Sequence, residues 1–183
     1  DDFKVVLAPG SSTVGTVSGD SWFVCNNCTY SILMLHRLKE LIFELKIELI
    51  VIGPEKPLVD GIVDFLEKNK IKVFGPNKIA SQLEGSKIFT KNLCKKYKIP
   101  TANFGVFNSI EKGLIFLNKC KFPLVVKADG LAAGKGVYIC ETYQESKNAI
   151  EEIFNGKFGI AKNVLIEEFL EGEEMSFFII SDG

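Results

Sequence analysis

Short apolar runs alternate with segments of helical periodicity in the first half of the chain. Runs of a few Val, Ile and Leu residues are typical of buried strands, whereas apolar residues three and four apart are typical of helices. The pattern predicts strands over 3–8, 49–52 and 72–74 and helices over 29–45 and 58–68. Strands and helices in this alternating order predict an α/β fold with a parallel sheet.

Proline and glycine follow each of these predicted strands. The segments concerned are Pro9-Gly10, Gly53-Pro54-Glu55 and Gly75-Pro76. Because open parallel sheets bind ligands at the carboxyl ends of their strands, these turns are expected to face a ligand. The polar residues 11–19 are predicted to form a loop, and Thr29 is the predicted N-cap of the first helix.

From residue 79 the pattern changes to shorter elements. It predicts a short helix or turn over 79–83, helices over 86–96, 109–118 and 142–154, strands over 101–107, 163–168 and 175–181, and two strands around a glycine-rich loop within 122–140. Thr142 and Glu145 have the spacing of a capping box at the start of one helix. We place a domain boundary after residue 78, which divides the chain into 1–78 and 79–183.

Composition and charge exclude several classes of protein. Hydrophobic residues make up 46% of the sequence and charged residues 25%, as in ordinary globular proteins. A net charge of -1 gives no general attraction to nucleic acid or to anionic membranes. The five cysteines are an odd number and favour a reduced, cytosolic protein. Cys25 and Cys28 form a lone CxxC pair without further ligands at metal-site spacing, so we expect them to bind no metal.

The glycine-rich loop within 122–140 is the strongest chemical feature. Lys127 ends a short apolar strand, and Gly130, Gly134, Lys135 and Gly136 follow it. Glycines let the backbone turn closely around a ligand, and a series of inward-facing amides binds anions. With a lysine at each end, the loop is predicted to bind a phosphate chain; the alternative is a tight hairpin with a flexible tip. Neither the Walker A spacing nor the G-x-G-x-x-G spacing is present.

A second feature is the acidic segment at 164–174. An apolar strand runs directly into Glu167 and Glu168, which are followed by Phe169 and Leu170. One interpretation is a strand that ends in a charged turn. The other is an adenine site, in which backbone groups pair with the base, apolar side chains cover its faces and a carboxylate accepts hydrogen bonds from the ribose.

Five motifs together resemble the phosphoribosylamine–glycine ligase family of the ATP-grasp superfamily. They are VIGPEKPLVDG at 51–61, FGPNK at 74–78, LEGSKIFTK at 83–91, VVKADGLAAGKGV at 125–137 and IEEFLEGEE at 166–174. The last two motifs are general to ATP-grasp proteins, and the first three point to this family. The resemblance implies a Rossmann-like N-terminal (pre-ATP-grasp) domain followed by part of an ATP-grasp domain.

The resemblance also implies an activity. Members of the family join glycine to 5-phosphoribosylamine at the expense of ATP, with Mg²⁺ or Mn²⁺, and make glycinamide ribonucleotide for purine biosynthesis. It implies a cytoplasmic monomer acting on small molecules, with no nucleic-acid or membrane partner. Lys87 and Lys127 would be the catalytic lysines that face the phosphates. The other implied nucleotide-binding residues are Gly130, Ala133, Gly134, Lys135, Gly136, Val137, Glu167, Glu168, Phe169, Leu170 and Glu174, and the implied substrate-binding residues are Pro9, Gly10, Gly53, Pro54 and Glu55.

Two departures from the family pattern limit the expectation. The glycine-rich turn that holds the ribose phosphate in the family is expected before the first residue here, and the family's metal ligands are expected beyond Gly183. The chain is therefore expected to be an internal fragment without turnover of its own. Another ATP-grasp carboxylate–amine ligase and a non-catalytic nucleotide-binding module remain the alternatives.

Overall fold

A computed structural model describes residues 5–8, 13–17, 20–24, 32–44, 46–131, 135–177 and 179. The chain divides into two compact units, Asp1–Asn92 and Leu93–Gly183. The predicted boundary after residue 78 lies within the first of these units and stays a prediction.

The first unit contains the predicted parallel sheet. Its strands β1 (Val5–Ala8), β4 (Leu49–Ile52) and β5 (Val73–Phe74) are adjacent in the order β1-β4-β5, and both pairings are parallel. The helices are α1 (Ile32–Glu44), α2 (Glu55–Asp60), α3 (Ile62–Lys68) and α4 (Gln82–Gly85), and α5 (Lys87–Tyr97) continues into the second unit. The buried core joins Ile50 and Ile52 of the sheet to Ile42, Val63 and Leu66 of the helices. The α/β fold with a parallel sheet is confirmed.

The loop predicted over 11–19 is wrong. Strands β2 (Thr13–Val17) and β3 (Asp20–Val24) pair antiparallel in this region, with Thr13 opposite Val24. Four of the five residues of β2 are Val or Thr, and β-branched residues favour strands. Polar residues are typical of loops, but they also occur in antiparallel strands that have one face in water. The polar composition of 11–19 therefore did not distinguish a hairpin from a loop.

The helix predicted over 58–68 is two helices. Gly61 has φ of +96°, in the left-handed region, and lies between α2 and α3. A non-glycine residue is strained in this conformation, so Gly61 is the residue type that this break requires. The first helix also begins at Glu55, earlier than predicted, because Pro57 falls within its first turn, where a missing N–H does no harm.

Three helices of the described chain, α1, α3 and α5, are followed within two residues by a Lys-Ile pair. Lys46, Lys70 and Lys98 have φ of 51°, 59° and 57°, and each is followed by isoleucine. After α3, the N–H of Lys70 donates to Glu67 O and the N–H of Ile71 donates to Leu66 O. This is the Schellman pattern, in which glycine is the usual left-handed residue. Each lysine therefore holds a conformation that its Cβ disfavours.

Substitution of Lys70 by glycine is expected to raise the free energy of unfolding. Relief of left-handed strain outweighs the extra backbone entropy of glycine, for a net gain of about 0.5–1 kcal/mol. Lys68→Gly is the matched control, because Lys68 is helical and its replacement should cost up to about 1 kcal/mol. Denaturant unfolding of the two variants checks the opposite signs; a destabilised Lys70→Gly variant would contradict the strain argument.

The second unit is built on an antiparallel sheet of four strands. They are β6 (Phe104–Phe107), β7 (Leu124–Ala128), β8 (Val137–Cys140) and β9 (Val164–Glu168), adjacent in the order β6-β9-β7-β8. Helices α6 (Ile110–Leu117) and α7 (Tyr143–Phe154) pack on one face, where Val126 and Ile166 meet Leu117 and Ile150. The predicted strand–loop–strand arrangement around the glycine-rich loop is confirmed, since β7 and β8 pair antiparallel.

The N-cap predicted at Thr142 is also present. Its hydroxyl accepts from the N–H of Glu145 at 3.2 Å. The Glu145 carboxylate accepts from the N–H of Glu141 at 2.7 Å, one residue before the cap, so the exchange resembles a capping box displaced by one residue.

The strand predicted over 175–181 is wrong for the residues that the structure describes there. Residues 175–177 and 179 have no strand conformation, and Met175, Phe177 and Ile179 are 81%, 81% and 75% exposed. Their alternating apolar pattern is that of a strand with one buried face. No described segment pairs with them, and a strand exists only with a hydrogen-bonded neighbour.

Candidate functional site

Lys127 and Glu167 form an ion pair on the four-stranded sheet of the second unit. They lie on the face opposite to the one on which α6 and α7 pack. We call this the lysine face; its residues are Phe104, Val106, Val125, Lys127, Val137, Ile139, Leu165 and Glu167. The register places Lys127 opposite Leu165 and Val125 opposite Glu167. Lys127 and Glu167 are thus diagonal neighbours on one face, within reach of long side chains.

The pair is largely removed from water. The side chain of Glu167 is 6% exposed and that of Lys127 is 25% exposed. Leu165 and Val125, which flank the pair on the same face, are 0% and 8% exposed. A carboxylate in such surroundings needs a partner, because burial of an isolated charge costs several kcal/mol. Glu167 therefore holds the Lys127 ammonium at one place on the sheet, next to the glycine-rich loop.

The glycine-rich loop is closed at its base by the β7–β8 ladder. The N–H of Ala128 donates to Gly136 O at 2.8 Å, and Lys127 is paired with Val137. Gly130 has φ of +92°, and a Cβ added there would meet nothing within 4 Å. The backbone conformation thus requires this glycine, whereas no atom of the described residues would clash with a side chain there. Lys135 is exposed. Ala133 and Gly134 lie outside the described residues.

The acidic segment after β9 contains an interaction that the sequence did not predict. The Glu168 carboxylate accepts from the N–H of Asn103 at 2.9 Å and from its side-chain amide at 3.0 Å, and the N–H of Glu168 donates to Asn103 O at 3.0 Å. The two residues are 65 positions apart, so no local signal joins them. Glu168 therefore fixes the end of β9 to the start of β6, and its carboxylate is already engaged.

The residues that follow Glu168 project into open surroundings. Phe169 and Leu170 are 36% and 63% exposed, and Glu174 is exposed as well. A pocket of about 340 Å³ lies at the end of β9 and is lined by Glu167, Glu168 and Asn103 among others, but by none of the residues that follow Glu168. The assignment of an adenine-binding role to Glu167, Glu168, Phe169 and Leu170, and of a ribose-binding role to Glu174, stays a prediction.

The first unit holds the remaining predicted site residues. Gly53 and Pro54 follow β4 at the carboxyl end of the parallel sheet, and Glu55 is the first residue of α2. A Cβ at Gly53 would meet nothing within 4 Å. Lys87 is the first residue of α5, and Ser86 accepts from the N–H of Phe89 at 3.1 Å and so caps that helix. Pro9 and Gly10 lie outside the described residues.

The described part of the chain contains no group of at least three His, Cys, Asp or Glu side chains placed to hold a metal ion. Cys25 and Cys28 lie outside the described residues, so the expectation that they bind no metal stays a prediction. None of the described helices is long and apolar enough to span a membrane.

Comparison with known protein families identifies the chain as an ATP-grasp protein. Residues 85–183 match the family model "Phosphoribosylglycinamide synthetase, ATP-grasp (A) domain", and residues 3–84 match the model "Phosphoribosylglycinamide synthetase, N domain". The chain belongs to the phosphoribosylglycinamide synthetase family. The resemblance found in the motifs, and the expected N-terminal domain followed by part of an ATP-grasp domain, are both confirmed.

Individual relatives agree with the family models. The phosphoribosylamine–glycine ligase of Mesorhizobium japonicum is 52% identical over 141 residues, covering 76% of this chain and 33% of the relative. That of Clostridium acetobutylicum is 45% identical over 188 residues, covering 98% of this chain and 42% of the relative. The crystal structure of phosphoribosylamine–glycine ligase from Thermotoga maritima superposes with a TM-score of 0.67 at 30% identity, covering 92% of this chain and 44% of the other. The matched part of the chain thus spans between 33% and 44% of the length of these relatives.

Proposed function

We propose that this chain is a part of a phosphoribosylamine–glycine ligase and contains most of the residues that bind its nucleotide. The complete enzyme would join glycine to 5-phosphoribosylamine and convert ATP to ADP and phosphate, giving glycinamide ribonucleotide. The observation that carries the proposal is the Lys127–Glu167 pair at the base of a glycine-rich loop, in a chain whose relatives bear that enzyme's name.

The reaction explains why a phosphate site is needed. A glycine carboxylate is a poor electrophile, so in the proposed mechanism one of its oxygens attacks the γ-phosphorus of ATP and ADP leaves. The amine of 5-phosphoribosylamine then attacks the carbonyl carbon of the glycyl phosphate. The C–O bond to the phosphate breaks, inorganic phosphate departs and the nitrogen loses a proton. Negative charge on the transferring phosphoryl group is the main barrier, and fixed positive groups lower it.

Lys127 is suited to this role because its ammonium is held in place before ATP binds. The buried Glu167 carboxylate supplies the orienting charge, and the lysine keeps a quarter of its side chain exposed towards a ligand. A group preorganised in this way needs little rearrangement when charge develops in the transition state. In the proposal Lys87 is the second phosphate-binding lysine, and the amides of 130 and 135–137 bind the phosphate chain together with Ala133 and Gly134.

The substrate side is proposed to lie in the first unit. Gly53, Pro54 and Glu55 end β4 at the edge where parallel sheets bind ligands, and Pro9 and Gly10 have the same place in the sequence after β1. Mg²⁺ would neutralise the ATP phosphates when bound. The described residues do not fit a metal site of their own, so we assign none of them as a Mg²⁺ ligand.

Substrate dependence in the complete protein tests the proposal. ATP consumption, measured as phosphate release, is expected to require both glycine and 5-phosphoribosylamine, and omission of either should reduce it to background. Activation by a different carboxylic acid would instead favour another ATP-grasp ligase. ATP binding without phosphate release under any of these conditions would favour a non-catalytic nucleotide-binding module.

A further inference from the structure

Strand β8 is at the edge of its sheet, and its side chains on the lysine face are largely exposed. Among the strands that the structure describes it pairs with β7 alone, and its lysine-face residues Val137 and Ile139 are 42% and 60% exposed. This strand is also the one that leaves the glycine-rich loop, since Lys135 and Gly136 immediately precede it. The contacts that hold β8 in place therefore also fix the position of Lys135 and Gly136 at the end of the loop.

Tyr138 ties β8 to helix α7 through a compact polar and aromatic cluster. Its hydroxyl donates to Glu152 Oε2 at 2.6 Å, and Lys157 Nζ donates to the same oxygen at 2.5 Å. The Lys157 ammonium also lies 5.5 Å from the centre of the Tyr138 ring and 5.9 Å from that of Phe158. The rings of Tyr138 and Phe158 meet edge to face at 5.9 Å. We call these four residues the Tyr138 cluster.

Glu152 is the centre of this cluster because it accepts from both other polar groups. The hydrogen bonds from Lys157 and Tyr138 lower the pKa of the Glu152 carboxyl. The hydrogen bond to Glu152 raises the pKa of Lys157, while burial and the bond to Glu152 raise the pKa of Tyr138. All three shifts favour the same state, with a charged carboxylate and ammonium and a neutral phenol, so the cluster is intact around neutral pH.

The cluster lies one residue from the base of the loop. Val137 pairs with Lys127, Tyr138 pairs with Val126, and the Gly136 carbonyl accepts from Ala128. A shift of β8 along or away from β7 would therefore displace Gly136 and Lys135 relative to Lys127. Contacts on the face covered by the helices thus fix the backbone of β8, which pairs with Lys127 of the lysine face.

We propose that the Tyr138 cluster is a positioning device for the nucleotide site, with Glu152 as its central residue: it anchors β8 on α7 and so holds the end of the glycine-rich loop opposite Lys127. The inference rests on the proposed function for its nucleotide. Loss of the anchor should weaken the productive binding of ATP rather than abolish folding, because the Glu152 side chain is 45% exposed and the cluster is at the margin of the core.

The test compares Glu152→Ala with two matched variants of the complete protein. Glu152→Gln retains an oxygen that accepts from Tyr138 and Lys157, so it should rescue the defect. Glu151→Ala removes the neighbouring carboxylate, which lies 3.8 Å from Lys147 and takes no part in the cluster. We expect Glu152→Ala to speed amide hydrogen exchange at 137–140 several-fold without nucleotide, and the two other variants to exchange like the wild type.

Steady-state kinetics separates positioning from mere stability. Glu152→Ala is expected to raise the KM for ATP about 5–10-fold at a temperature well below its Tm, with a smaller change in kcat. Unchanged exchange at 137–140, or a lower Tm with an unchanged KM, would overturn the inference. Failure of the wild-type protein to use ATP would instead refute the proposed function, while the exchange rates would still decide whether Glu152 anchors β8.

Discussion

Replacement of Lys127 by methionine should reduce turnover of the complete enzyme by about 10²–10³, the usual cost of one preorganised group that stabilises transition-state charge. The same change should also lower the free energy of unfolding by about 3 kcal/mol, because it removes the cation that pairs with the buried Glu167 carboxylate. Methionine keeps the apolar stem of the lysine, so little packing is lost. Phosphate release and denaturant unfolding measure the two effects.

A double variant separates these two effects. Lys127→Met combined with Glu167→Gln removes both charges, and replacement of a whole buried pair by neutral groups is often close to neutral for stability. We therefore expect the double variant to regain most of the lost stability and none of the lost turnover. Lys119→Met, at an exposed position on the same unit, should change neither quantity by much. Wild-type turnover in Lys127→Met would contradict the assignment of Lys127.

Substitution of Gly130 by valine should weaken ATP binding about tenfold while leaving the fold intact. The φ of +92° is strained for any side chain, most of all a β-branched one, at a cost of about 1–2 kcal/mol. A Cβ there meets nothing within 4 Å, so the penalty falls on the loop conformation and spares the core. Binding of ATP measured by calorimetry gives the change in affinity.

Gly61→Val is the matched control for this substitution. Gly61 also has a left-handed φ, of +96°, but it lies between α2 and α3 in the first unit and is no part of the proposed phosphate site or of the Tyr138 cluster. It should lose stability without losing affinity for ATP. In the wild-type enzyme, ATP should also slow amide exchange across 130–136 more than in β7 or β9. Equal protection of 130–136 with and without ATP would mean that the segment is a rigid hairpin without a phosphate-binding role.

Local periodicity was enough to predict the framework of both units. The apolar runs at 49–52 and 124–127 and the helical spacing within 142–154 each depend on neighbours in sequence, and all three elements are present. Periodicity did not predict the hairpin β2–β3, because polar residues and glycines within 11–19 are also typical of loops. The break at Gly61 was missed because helical spacing continues on both sides of it.

The candidate site was only partly predictable, because its central contacts are long-range. Lys127 and the glycines are recognisable from composition, but the ion pair with Glu167 depends on the β7–β9 register. The clamp between Asn103 and Glu168 and the bond between Tyr138 and Glu152 depend in the same way on how strands and helices meet. A single sequence contains no signal for such pairs beyond the presence of suitable side chains.

Transfer of oxygen from glycine to phosphate tests the central claim most directly. Glycine labelled with ¹⁸O in its carboxyl group is supplied to the complete enzyme with ATP and 5-phosphoribosylamine, and the released phosphate is analysed by mass spectrometry. If a glycyl phosphate forms, the bridging carboxyl oxygen leaves with the phosphoryl group, so each phosphate should carry one ¹⁸O atom. Product formation with unlabelled phosphate would contradict the account.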